Sequence, residues 1–257
     1  ETSAQTRGKL VKTGDGKVMP TDHTYADTDR MWLRDPGEPD DRLDSEDACL
    51  ELIDRHFPTA SGHFPHGRGD DCAELADLPG TLALSSDMFW QDSHFRTQYF
   101  IPAEAGAKAL ASSVSDLAAA GAVPLGFSLG LMLASGIGKK TLAGMLGGMS
   151  REAGKYGIVL TGGDLTLGER TGFSLCVWGK SAEDGSFLRR RQAAGGDCLF
   201  MLGNPGLARV GFRVLERFGR GALRDWPEAC AAHLAPEPLL DAGQRISRIA
   251  LRAASES

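Results

Sequence analysis

The 257-residue chain has no apolar run of about 18 residues, so no membrane-spanning helix is expected. It has no CxxC pair. Its five cysteines (Cys49, Cys72, Cys176, Cys198 and Cys230) are odd in number and scattered. That argues against a disulfide framework or a zinc knuckle and fits a reducing, cytoplasmic setting. No signal-peptide pattern follows Glu1. A basic excess is also lacking: 28 Lys and Arg against 34 Asp and Glu leave a net charge of -6, with no field for nucleic acid. The one short basic cluster, Arg189 to Arg191, reads as a solvated face. Neither nucleotide-loop signature is present: no GxGxxG opens a helix after the first strand, and there is no GxxxxGK[ST].

What remains is sufficient for one large domain or two modest ones. Residues 1–44 are polar, acid-rich and punctuated by Pro and Gly, and read as an extension in which Trp32 is the candidate anchor. Compact structure is expected from Ser45, which caps a helix with Cys49, Leu50, Ile53 and Phe57 on one face. A strand follows in "GTLALSSDMF", with Asp87 close to its end, and then a helix over 103–121. Leu110, Val114, Leu117 and Gly121 form the apolar stripe of that helix, and Ser113 and Asp116 lie off it. A strand over 124–133, a helix over 139–157 whose methionines read as core filler, and a short strand before Gly162–Gly163–Asp164 come next. Another strand covers 172–180, and strand, glycine turn and helix repeat over 196–219. A domain boundary is expected within 181–195. The alternation indicates an α/β or α+β chain.

The aspartates share a grammar. Asp70 and Asp71 follow a glycine, Asp87 ends an apolar run, Asp116 sits in a helix of small residues, and Asp164 follows two glycines. Carboxylates brought together repel unless cations answer them. Hard oxygen donors suit magnesium, which is shared with substrate phosphates, and neighbouring glycines let backbone N–H groups approach those phosphates. The pattern therefore points to an ATP-dependent phosphoryl-transfer site. The plainer alternative stays open, because an aspartate after glycine is ordinarily a turn or cap residue. Likewise His94 either touches substrate or pins its loop, and Trp90, in an apparent loop, either stacks on a ligand ring or packs as an anchor.

Four segments carry a family resemblance: "GRGDDCAEL" (67–75), "SSDMFWQDSHF" (85–95), "KALASSVSDLAAAGAVP" (108–124) and "LTGGDLTLG" (160–168). Two later stretches, 189–215 and 233–243, continue it. In this order they resemble the thiamine-monophosphate kinase family, within the superfamily of aminoimidazole ribonucleotide synthetase, selenophosphate synthetase and the hydrogenase-maturation dehydratase. The resemblance implies an N-terminal ATP- and magnesium-binding domain over 45–185, whose mixed sheet pairs with that of a second copy in a homodimer. It also implies the start of a second α/β domain over 186–257. The implied reaction transfers the γ-phosphate of ATP to thiamine monophosphate, giving thiamine diphosphate for thiamine biosynthesis. Asp70, Asp87 and Asp164 are the implied catalytic residues, and Asp70, Asp71, Asp87, Asp116 and Asp164 the magnesium ligands. Asp71, Ser113, Asp116, Gly162 and Gly163 would meet the nucleotide, and His94 and Trp90 the phosphate acceptor. Other acceptors within the superfamily, or a nucleotide-binding relative without catalysis, are the alternatives. The chain departs from the pattern at Ser113, Leu165, the "GNPG" turn and Leu239, and stops before the family's Ser-Asp-Gly motif, so a fragment or a shortened relative is expected.

Overall fold

The structure, a computed structural model, describes residues 10–12, 18–20, 32–33, 38–57, 63–64, 68, 72–76, 80–182, 186–190 and 194–249. Asp70 and Asp71 lie outside them, as does most of the 1–44 extension.

A small hairpin, β1 (Leu10–Lys12) and β2 (Val18–Pro20), precedes α1 (Glu46–His56). The main sheet comprises β3 (Leu82–Trp90), β4 (Ala122–Ala134), β5 (Val159–Gly168) and β6 (Gly172–Ser181), in the order β3-β6-β4-β5. β6 is antiparallel to both β3 and β4, whereas β4 and β5 run parallel. The parallel pair requires a crossover, supplied by α3 (Lys139–Tyr156), and α2 (Pro102–Ala119) links β3 to β4.

Both helices cover one face of the sheet. The stripe expected on α2 is there: Leu110, Val114 and Leu117 are buried against Phe127, Leu129, Phe173 and Leu175. Met145 and Met149 of α3 are core residues, as expected. The helix backbones touch where side chains are missing. A Cβ on Gly106 would stand 2.0 Å from the carbonyl oxygen of Met145, and one on Gly148 1.9 Å from that of Ala103. Among the described residues no helix covers the other sheet face, and Leu84 and Met88 are exposed there.

Four expectations need correction. Compact structure begins before Ser45. Trp32 is buried, stacks on Phe95 at 5.5 Å and donates its indole N–H to the carbonyl of Phe100 at 3.0 Å. Buried Asp41 accepts from the Lys140 backbone N–H at 2.7 Å, so it caps the first turn of α3. On α1, Leu52 rather than Leu50 faces inward. β5 does not stop before its glycines but runs through them to Gly168. Finally, the expected strand around 198–202 does not form. Leu199, Phe200, Met201 and Leu202 are 95%, 90%, 71% and 57% exposed, because no described strand lies beside them to complete a ladder.

Beyond β6 the described residues form helices and no strand: α4 (Leu207–Phe218), α5 (Ala222–Asp225), α6 (Pro227–Leu234) and α7 (Leu240–Ile249). α6 and α7 rest on α2, so this layer and the sheet share one core. Among the described residues, no helix is long and apolar enough to cross a membrane. Trp32→Ala removes both the stacking and the indole hydrogen bond and is expected to cost about 3 kcal/mol in denaturant unfolding. A loss below about 0.5 kcal/mol, the size of an ordinary surface change, would show that the extension does not pack on the core.

Candidate functional site

β3 presents Ala83, Ser85, Asp87 and Phe89 to the helices and Leu84, Ser86 and Met88 to the open face, as the period of two requires. Asp87 is half-buried and sits within the strand, three residues before its end. Two residues before it, the Ser85 hydroxyl donates to Oδ2 of Asp116 at 2.5 Å. Asp116 is in the last turn of α2, so this contact brings β3 and the end of α2 together and sets Asp116 beside the strand that carries Asp87. Ser85 was not singled out from sequence. Its place two residues before Asp87, on the same strand face, was the available signal.

Asp164 is elsewhere. It pairs with Gly130, which pairs with Ser174, which pairs with Met88. Asp87 belongs to the next row, opposite Leu175. Within one chain, Asp164 therefore lies on the open face of one edge strand and Asp87 on the helix face of the other. Three strand spacings separate those edges, roughly 14 Å. Among the described residues, no group of three or more His, Cys, Asp or Glu side chains is placed to hold a metal ion.

Gly162 and Gly163 differ in their surroundings. Thr161 is the extra residue of a bulge, with Leu160 opposite Phe127 and Gly162 opposite Ser128, and its hydroxyl donates to the Phe127 carbonyl at 3.1 Å. A Cβ on Gly163 would fall 1.9 Å from the Leu129 carbonyl oxygen, whereas one on Gly162 would meet nothing within 4 Å. Gly163 is thus required by the sheet itself.

Ser113 lies on the buried stripe of α2 rather than off it, whereas Asp116, three residues on, is half-buried. Ser113 is buried in α2 and donates to the Ala109 carbonyl at 3.3 Å, the i-4 bond open to a helical serine. Trp90 is the last residue of β3 rather than a loop residue, and its indole covers Gly172. His94 is exposed, and its Nδ1 accepts the Trp90 backbone N–H at 2.9 Å, pinning the turn after β3. That turn leads to buried Phe95 and then to a cleft of about 340 Å³ lined by Asp92, Arg96, Gln98, Tyr99 and Glu216. Charges in the cleft are paired: Arg96 with Glu216 at 3.2 Å, the Tyr99 hydroxyl with Glu216 at 2.9 Å, and Asp92 with Arg170.

With this geometry in place, the similarities can be read. The AIR synthase related protein N-terminal domain matches residues 69–180, the segment that holds the whole main sheet as far as Lys180. That segment is similar to a domain of the AIR synthase-related superfamily. Within that superfamily it is similar to the thiamine-monophosphate kinase of Synechococcus elongatus, at 36% identity over 79% of this chain and 60% of that one. The kinase of Salmonella typhimurium is 34% identical over 79% of this chain and 63% of its own length. Among solved structures, the thiamine-monophosphate kinase of Stenotrophomonas maltophilia superposes with a TM-score of 0.66 at 28% identity, over 78% of this chain and 64% of that one. The chain spans less than two thirds of the length of each of these relatives.

Proposed function

We propose that the protein phosphorylates thiamine monophosphate from ATP with magnesium, in the cytoplasm and as a homodimer. The observation that carries this reading is the Ser85–Asp116 contact. It gathers two of the aspartate-bearing motifs at one end of α2. Asp87 and Asp116 are hard oxygen donors, and one or two carboxylates plus substrate phosphates suffice to bind magnesium. They would hold the ion together with Asp164 of a second copy, since Asp164 of the same chain is on the wrong face and edge. Asp70 and Asp71 would join them from the preceding segment.

Magnesium, when bound, offsets the negative charge of the polyphosphate during transfer. The chain's own residues position. Ser85 orients the Asp116 carboxylate, and the backbone at Gly162 is open to a phosphate. His94 fixes the turn that leads into the mixed-charge cleft, where a zwitterionic acceptor has both signs to meet. An oxygen of thiamine monophosphate attacks the γ-phosphorus in line; the new O–P bond forms as the bond to the ADP oxygen breaks. The attacking oxygen is already anionic, so no strong general base is required, and positioning and electrostatics do the work.

The test is conversion of thiamine monophosphate and ATP to thiamine diphosphate and ADP by the full-length natural protein, with and without magnesium. Magnesium-dependent product formation is expected. ATP consumption only with another phosphate acceptor would move the reading to a different activity of the superfamily. Nucleotide binding without turnover on any acceptor would make it a binding protein.

A further inference from the structure

Lys108 lies on α2, eight residues before Asp116, and His233 lies at the end of α6. The Lys108 Nζ is 3.4 Å from Nδ1 of His233 and 5.2 Å from the centre of the Phe100 ring. The His233 ring stands 5.5 Å from Phe212, 5.7 Å from Phe100 and 6.2 Å from Tyr99. Its Nε2 is buried without a hydrogen-bond partner. Among the described residues, neither Lys108 nor His233 has a carboxylate partner.

The charges around the pair are committed elsewhere. On α2, Glu104 is held by Arg220 at 2.7 and 3.1 Å. On α4, Glu216 is engaged by Arg96 and Tyr99, and Arg209 lies over Phe212. Glu228 is in the first turn of α6, at the opposite end of that helix from His233. A second positive charge on the pair would therefore face an existing ammonium within aromatic walls.

Neutral His233 can accept a hydrogen bond from the Lys108 ammonium; imidazolium cannot, and it adds repulsion in an apolar setting. We propose that Lys108 and His233 form a proton-operated latch, in which neutral His233 keeps the α4–α6 layer docked on α2 and its protonation releases that layer while the main sheet stays folded.

Burial, and then the Lys108 charge, push His233 down to about 4 from its ordinary 6.5. Burial pushes Lys108 down to about 8, so it remains mostly charged at neutral pH. A histidine with a lowered folded-state value contributes fully above pH 6.5. It loses that contribution as the pH falls from 6.5 towards 4, because the released state binds the proton first.

Hydrogen-exchange protection across pH in the full-length protein tests this, comparing the amides of α6 with those of α3. The opening constant of α6 is expected to rise about fortyfold between pH 6.5 and 4.5, with α3 nearly unchanged. His233→Phe, which keeps an aromatic ring in the box, should flatten the response of α6, and Lys108→Met, which leaves His233 buried, should reduce it. Flat protection of α6 in the unmodified protein, or loss of α6 and α3 together, would overturn the latch. So would an acid response retained in folded His233→Phe, or one undiminished in folded Lys108→Met. If one variant fails to fold, the other and the helix-to-helix comparison still decide.

Discussion

Asp87→Asn and Asp164→Asn are each expected to lower thiamine monophosphate phosphorylation by about a hundredfold or more. An equal mixture of the two variants, allowed to exchange subunits, is expected to recover about a quarter of the unmodified rate. The expectation follows from where the sheet puts the two carboxylates. Asp87 faces the helices from β3, whereas Asp164 shares the open face with Met88 from β5 at the other edge. Carboxylates on one magnesium ion lie only about 4 Å apart, since each oxygen is about 2 Å from the metal. A separation of roughly 14 Å across the sheet, on opposite faces, cannot be closed by side-chain rotation. A second copy supplies the missing aspartate if its β5 lies alongside the β3 edge that carries Asp87. In a mixed dimer, one site then carries both substitutions and the other carries neither. Random exchange makes about half the dimers mixed, each with one intact site, which gives the quarter. Recovery at that level supports a site shared between copies. No recovery, with mixed dimers verified by native mass spectrometry, would mean that both residues serve the same chain's site or none. Full turnover by either single variant at limiting magnesium would remove that residue from the metal reading.

The second large effect is expected at neighbouring glycines that read alike in sequence. Gly163→Ala should destabilise the fold by about 3 kcal/mol, because its methyl carbon would lie 1.9 Å from a backbone oxygen and β4 and β5 would have to part. Gly162→Ala has open space around the new methyl and should stay within about 1 kcal/mol of the original in denaturant unfolding. If Gly162→Ala keeps its unfolding midpoint but loses ATP-dependent turnover, the Gly162 backbone is where the phosphate approaches. If both variants unfold alike, the space beside Gly162 is filled by something other than a ligand. If Gly162→Ala keeps both stability and turnover, the phosphate is bound elsewhere.

The helices and strands of 80–182 were legible because their apolar periods are clean and their ends are marked. Ser45 accepts the Ala48 N–H at 3.2 Å as a helix cap should, and Gly157 ends α3 with φ +66°. The stripe Leu110–Val114–Leu117 predicted the buried face of α2. Ser113 was misread because a helical serine can satisfy its hydroxyl on its own backbone, which makes a buried position tolerable for a residue that looks polar. Trp90 reads from sequence as a loop residue, yet Gly172 across the ladder makes room for the indole and the strand runs on. The segment 199–202 reads as a strand by composition and is not one, since a strand exists only beside a partner.

By itself the sequence determined the local elements, the acidic motifs and their order, because hydrogen bonding along the chain and burial periodicity act over a few residues. It also carried the resemblance to the kinase family. The tertiary structure decided which acids can meet. Strand order places Asp87 and Asp164 at opposite edges, the pleat turns them to opposite faces, and the Ser85–Asp116 contact joins two motifs within one chain. It also decided that Lys108 and His233, 125 residues apart, share one aromatic box. The physical reason is the same in both cases: side-chain proximity across a sheet or between helix layers depends on register and packing, which no local pattern encodes.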